Sequence, residues 1–86
     1  MTSEDRAKEG NMEELVRYIA MSLVDKPEEV RVVVKEGERS TILELSVAPD
    51  DMGKVIGKQG RIAKAIRRVV KAASIKQNKN YILEIV

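Results

Sequence analysis

Val55-Ile56-Gly57-Lys58-Gln59-Gly60-Arg61-Ile62, near the middle of the chain, is the stretch whose residue types and spacing best suit binding chemistry. Two glycines bracket two polar residues between apolar ends. Without a Cβ, Gly57 and Gly60 can adopt positive φ and let another backbone lie against the turn. A helix beginning after Gly60 directs unpaired amides and its positive dipole end to the same place, which suits phosphate oxygens. Lys58, Arg61 and Lys64 add full charges within about one turn of it. Glycines between helices usually serve as caps, so the spacing alone says little. The apolar Val55, Ile56 and Ile62 and the basic stripe beyond them turn it into a candidate anion seat.

Other chemistries have little material. The chain has neither His nor Cys, which removes the usual zinc ligands, the usual general base and any disulfide. Metal and triad catalysis are therefore not expected, nor is a cofactor or a small-molecule substrate. A phosphate loop of the nucleotide-hydrolase kind would need four residues between its first glycine and its Gly-Lys-Ser/Thr ending. Gly53 and Gly57 are separated by three residues, and Gln59 stands where the magnesium ligand should be. Base stacking on a sheet needs an aromatic cluster, and Tyr18 and Tyr81 are the only aromatics. With an apolar run no longer than Tyr18 to Met21, neither a membrane span nor a secretory signal is read here, and the expected location is the cytosol.

The formal charge of +2 conceals an asymmetry. Residues 1–50 sum to −5, whereas residues 51–86 sum to +7, with nine basic residues against Asp51 and Glu84. Solubility needs charge but has no need of one sign, so the bias points to a polyanionic partner.

Eighty-six residues, 43% of them apolar, support one modest core. Residues 1–10 read as a loose tail. Asn11 offers an N-cap to a first helix over about 11–24, whose Met12, Leu15, Val16, Ile19, Ala20 and Leu23 share a face expected to cover the core. Asp25-Lys26-Pro27 stops it. Val30, Val32 and Val34 alternate with Arg31, Val33 and Lys35, and after a turn at Gly37-Glu38-Arg39 a second strand spans Thr41 to Val47, making a hairpin. Val33 and Ile42 fall on the face opposite the core, so either a partner covers them or the register is shifted by one. An acidic cap at Asp50 suits a short helix over about 51–56. From Gly60, Ile62, Ala63, Ile66, Val69, Val70 and Ala73 follow the helical period, with Arg61, Lys64, Arg68 and Lys71 opposite. Ser74 to Asn80 reads as a loop, and Tyr81, Leu83 and Ile85 alternate in a closing strand.

Ile56-Gly57-Lys58-Gln59-Gly60 with its flanking helices resembles the I-G-x-x-G signature of the KH domain. The order αββααβ is that of its type II form, and the stretch from Val47 to Arg67 is similar to the small bacterial KhpA, or YlqC-like, family. The resemblance covers residues 11–86 and implies an α+β fold, a three-stranded mixed sheet with three helices packed on one face. It also implies a cleft between the helices, their loop and the sheet, holding about four nucleotides of single-stranded RNA. The matching positions are Gly57, Lys58, Gln59 and Gly60 for the loop that clamps the nucleic-acid backbone. Gly53, Lys54 and Ile56 match the helix before it, and Arg61, Ile62, Lys64 and Ala65 the start of the helix after it. Partners implied are single-stranded RNA and a second KH protein of the KhpB or Jag kind, in a homodimer or heterodimer. Roles as an RNA chaperone or post-transcriptional regulator, with effects on cell shape and wall synthesis, are implied likewise. The residues leave RNA against single-stranded DNA open, along with a protein-interaction module whose RNA contacts lie mainly in its partner. For a monomer, micromolar or weaker RNA affinity is expected, with a log-log salt slope of about −2 to −3.

Overall fold

A computed structural model describes residues 12–86. The tail over 1–10 and the Asn11 cap lie outside the described residues. Helix α1 spans Met12–Leu23, strands β1 and β2 span Arg31–Glu36 and Thr41–Ser46, helices α2 and α3 span Met52–Ile56 and Arg61–Gln77, and β3 spans Tyr81–Ile85. Single 3-10 turns at Pro27–Glu29 and Pro49–Asp51 lead into β1 and α2, each opening on the proline. Proline suits this first helical position because its missing N–H would have had no partner there.

The sheet order is β1-β2-β3, with β1 antiparallel to β2 and β2 parallel to β3. Leu43 and Leu45 on the central strand are 1% and 0% exposed, beneath a layer built from Met12, Val16 and Ala20 of α1, Val55 of α2, and Ile66 and Val70 of α3. Val32 and Leu83 extend that layer onto the two edge strands. Alternation in β2 therefore sorts its side chains as the period of two demands. Val33 pairs with Glu44, and Ile42 with both Lys35 and Ile82, which puts Val33, Ile42 and Ile82 on the bare side of the sheet without any shift of register.

Three expectations change. Ser74 begins no loop: α3 continues to Gln77 and ends on Asn78 in the left-handed conformation. Ser74 is 5% exposed, donates its hydroxyl to the Val70 carbonyl at 2.7 Å and accepts the Tyr81 amide at 3.3 Å. A polar residue can thus lie inside the helix because it satisfies the first amide of β3. Val34 and Val69, read as core residues, are 38% and 45% exposed, since Val34 sits on the edge strand toward the turn of the hairpin and Val69 at the margin of the α3 contact stripe. Acid capping of α2 also takes another form. No side chain caps that helix, and Asp51, 1% exposed, spends its carboxylate on the Lys26 amide at 3.0 Å and the Lys54 ammonium at 3.2 Å. No helix among the described residues is long and apolar enough to cross a membrane.

Candidate nucleic-acid interface

Between α2 and α3 the chain reverses over Gly57-Lys58-Gln59-Gly60. Gly57 has φ 76° and ψ 172°, a region that only glycine enters without strain. Space forbids a side chain as well, because a Cβ there would lie 2.5 Å from Cγ1 of Ile62. Ile62 thus folds back over the loop and seats it. Gln59 and Gly60 are both left-handed, at φ 58° and 73°, and a Cβ on Gly60 would meet nothing. Three backbone bonds close the reversal, Gly57 N–H to the Gly53 carbonyl at 2.8 Å, Gly60 N–H to the Gly57 carbonyl at 3.1 Å and Arg61 N–H to the Lys58 carbonyl. No side chain caps the start of α3.

Exposure follows the loop outward. Lys58, Gln59, Arg61, Lys64 and Ala65 are all exposed, as are Gly53 and Lys54 on α2, while Ile62 is half-buried and Ile56 is 37% exposed. Among the described residues, Lys58, Arg61, Lys64, Arg68 and Lys71 have no acidic partner, and Arg61 only reaches the Gln59 side-chain oxygen at 3.4 Å. Lys54 differs. Its ammonium lies 2.8 Å from the Asp25 carboxylate and 3.2 Å from that of Asp51, so it braces α2 against the segment after α1. Hydrogen bonding to Asp25, then to Asp51, raises its pKa above the usual lysine value. For Asp51 the largest single influence is loss of water, which pushes the pKa up. The Lys26 amide, the Lys54 ammonium and the Asp25 amide together outweigh it and hold the carboxyl below its ordinary value.

Beyond this loop, from Arg67 onward, a groove runs between α3 and the free edge of β3. Arg67, Lys71 and Ile75 line its helix side, and Tyr81, Ile82 and Leu83 its strand side, around a cavity of about 360 Å3. Because β2 occupies the other side of β3, alternate amides and carbonyls of β3 point into the groove. Arg67 Nε donates to one of them, the Leu83 carbonyl, at 3.3 Å. Arg67 and Lys71 could have been found from their place beside Lys64 on the basic stripe. The strand wall could not, because only the sheet order makes β3 an edge beside α3.

The family described as KhpA/KhpB, KH domain, matches over residues 13–85. The RNA-binding protein KhpA of Clostridium perfringens is 69% identical over 75 residues, covering 87% of this chain and 100% of that protein. KhpA of Clostridium acetobutylicum is 64% identical over the same shares, and KhpA of Borreliella burgdorferi 54% identical over 88% of this chain and 93% of its own. Among solved structures, Aquifex aeolicus Era superposes with a TM-score of 0.58 at 24% identity, over 85% of this chain. A second Era structure, in complex with a nucleotide and a segment of 16S ribosomal RNA, gives 0.59 at the same identity. This chain spans 28% of Era in each case, and the likeness is one of fold, the type II KH fold. Matched over almost all its described residues and aligned with relatives along their entire length, the chain belongs to the KhpA/KhpB KH-domain family.

Proposed function

We propose that this protein binds single-stranded RNA at the Gly57–Gly60 loop, along a path that continues into the groove between α3 and the edge of β3. The observation that carries the reading is a helix start without a side-chain cap beside a glycine-shaped reversal, ringed by Lys58, Arg61 and Lys64, none of which has an acidic partner among the described residues. Phosphates lie against the loop backbone at Gly60, where a Cβ would meet nothing and no side chain stands in the way, and the three cations neutralise them. Gly53 supports the same approach, since a Cβ there would meet nothing within 4 Å and the fold itself does not require its absence. Ile56 and Ile62 offer aliphatic surface to the first base, with Gln59 and Ala65 at its margin. Lys54 acts from behind, holding the loop's leading helix in place. The curated relatives carry the name RNA-binding protein, which agrees with this assignment.

The reaction-free character of the site follows from its chemistry: cations, glycines and aliphatics bind without supplying a nucleophile or a base. Membership of the family favours cytoplasmic work as an RNA chaperone or post-transcriptional regulator beside a KH-containing partner, with consequences for cell shape and wall synthesis. A second reading, a docking module for such a partner or for another copy, is favoured by the bare sheet face, where Val33 and Ile82 are 50% and 42% exposed. Salt separates the two. With about three phosphates neutralised on a single strand, the log-log slope of affinity against salt is about −2. A fluorescence titration of labelled RNA at several salt concentrations measures it. A slope near zero would remove the phosphate seat and leave the docking reading.

A further inference from the structure

The groove beside β3 continues past the end of that strand. At the C-terminal end of α3 it opens into a larger cavity of about 650 Å3, between the β1–β2 turn at Gly37–Ser40 and the loop over residues 78–80. The two cavities share Ser74, Ile75, Lys79 and Asn80 in their linings, so they adjoin. A helix of this length, 17 residues, separates the far cavity from the glycine loop by about 25 Å. It therefore lies outside the seat described above.

Its lining holds one carboxylate, Glu38 in the hairpin turn, against two cations and two side-chain amides, a balance that suits a polyanion with bases. Arg39 approaches from the hairpin turn and Lys79 from the loop, and neither has a carboxylate partner among the described residues. The side-chain amides of Asn78 and Asn80 make no hydrogen bond among the described residues, leaving donors and acceptors turned to solvent. Ile75, 73% exposed on the last turns of α3, places bare aliphatic surface between them. The negative end of the helix is already muted there. The Ser74 carbonyl accepts the Lys79 amide at 3.0 Å, and the Ile75 carbonyl accepts the Asn78 amide at 3.2 Å. Asn78 also ends α3 in the left-handed conformation, but Arg39, Ile75, Lys79 and Asn80 contribute no side chain to the core.

We infer that this cavity is a second nucleotide seat, which extends the RNA path beyond the α3–β3 groove to the tip of the β1–β2 hairpin. Arg39 and Lys79 hold a phosphate, the Asn78 and Asn80 amides meet base edges or the 2′-hydroxyl, and Ile75 carries a base or ribose face. The inference rests on the loop being the first RNA seat. It predicts that the hairpin tip matters only for RNA long enough to reach it.

The test is a titration of the full chain with a labelled tetranucleotide and a labelled octanucleotide of the same base. Variants are Arg39→Glu and, as a charge-matched control on the bare sheet face, Arg31→Glu. Both sites are exposed, so the fold should persist. The expected result is a loss of at least fivefold in octanucleotide affinity for Arg39→Glu, with the tetranucleotide unchanged and Arg31→Glu close to wild type for both. Equal losses for the two lengths, or an equal loss in Arg31→Glu, would reduce Arg39 to a remote charge and overturn the second seat. So would an unaltered Arg39→Glu protein. If the wild type bound neither RNA, the loop assignment itself would fall, and the extension with it.

Discussion

Gly57 and Gly60 are spelled alike in the motif but answer to different constraints. Gly57 is fixed by both its backbone region and the Ile62 side chain 2.5 Å from where a Cβ would stand, whereas Gly60 has only its positive φ to satisfy. Gly57→Ala should therefore cost about 3 kcal/mol, strain and overpacking together. Gly60→Ala should cost about 1 to 2 kcal/mol, the usual penalty for a left-handed residue bearing a Cβ. Chemical denaturation of the two variants measures both, and equal costs would mean that Ile62 yields without penalty. The sequence named both glycines and the requirement for positive φ, but not which of them is packed against a neighbour. Gln59 went unnoticed in this respect. It is left-handed at φ 58°, and a Gln carries no sequence signal for that geometry as Gly or Asn would.

Elements set where the charges of the loop point. The Asp25-Lys54-Asp51 cluster ties α2 to the segment that follows α1, with Asp51 almost wholly buried. Since the folded pKa of Asp51 is depressed below 3.8, its contribution is present above that value and is lost as the pH falls through the folded pKa. Since the pKa of Lys54 is raised above 10.5, its contribution is present below that value and is lost as the pH rises through the folded pKa. The melting temperature of Asp51→Asn should therefore fall furthest below wild type between about pH 5 and 10, and the gap should close in acid. Melting curves at several pH values check this, and a gap that persists at pH 2 would point to packing instead. Helix periods, the hairpin and the strand alternation were legible because each repeats over several residues. Single polar residues were not. The sequence reads a cap at Asp50 and a loop residue at Ser74, because the partners that bury Asp51 and Ser74, the Lys26 amide and the Tyr81 amide, are supplied by tertiary packing. Val69 shows the same limit, since periodicity marks the apolar side of α3 but not how far the sheet reaches across it.

For the whole molecule, the fold turns a division along the chain into a division in space. The cations of residues 51–86 gather on the loop, along α3 and beside β3, while the acidic half builds α1 and the hairpin. A long-range field of this kind draws a polyanion toward the groove but does not choose where it settles. That choice belongs to the loop. The most direct test is a titration of labelled single-stranded RNA with wild type and with the double variant Lys58→Asp, Gln59→Asp, with circular dichroism to check the fold. Both sites are exposed, and aspartate tolerates the left-handed geometry at Gln59, so the variant should fold as the wild type does. An affinity loss of tenfold or more in a folded variant is the predicted result, and undiminished binding would contradict the assignment of the Gly57–Gly60 loop as the RNA seat.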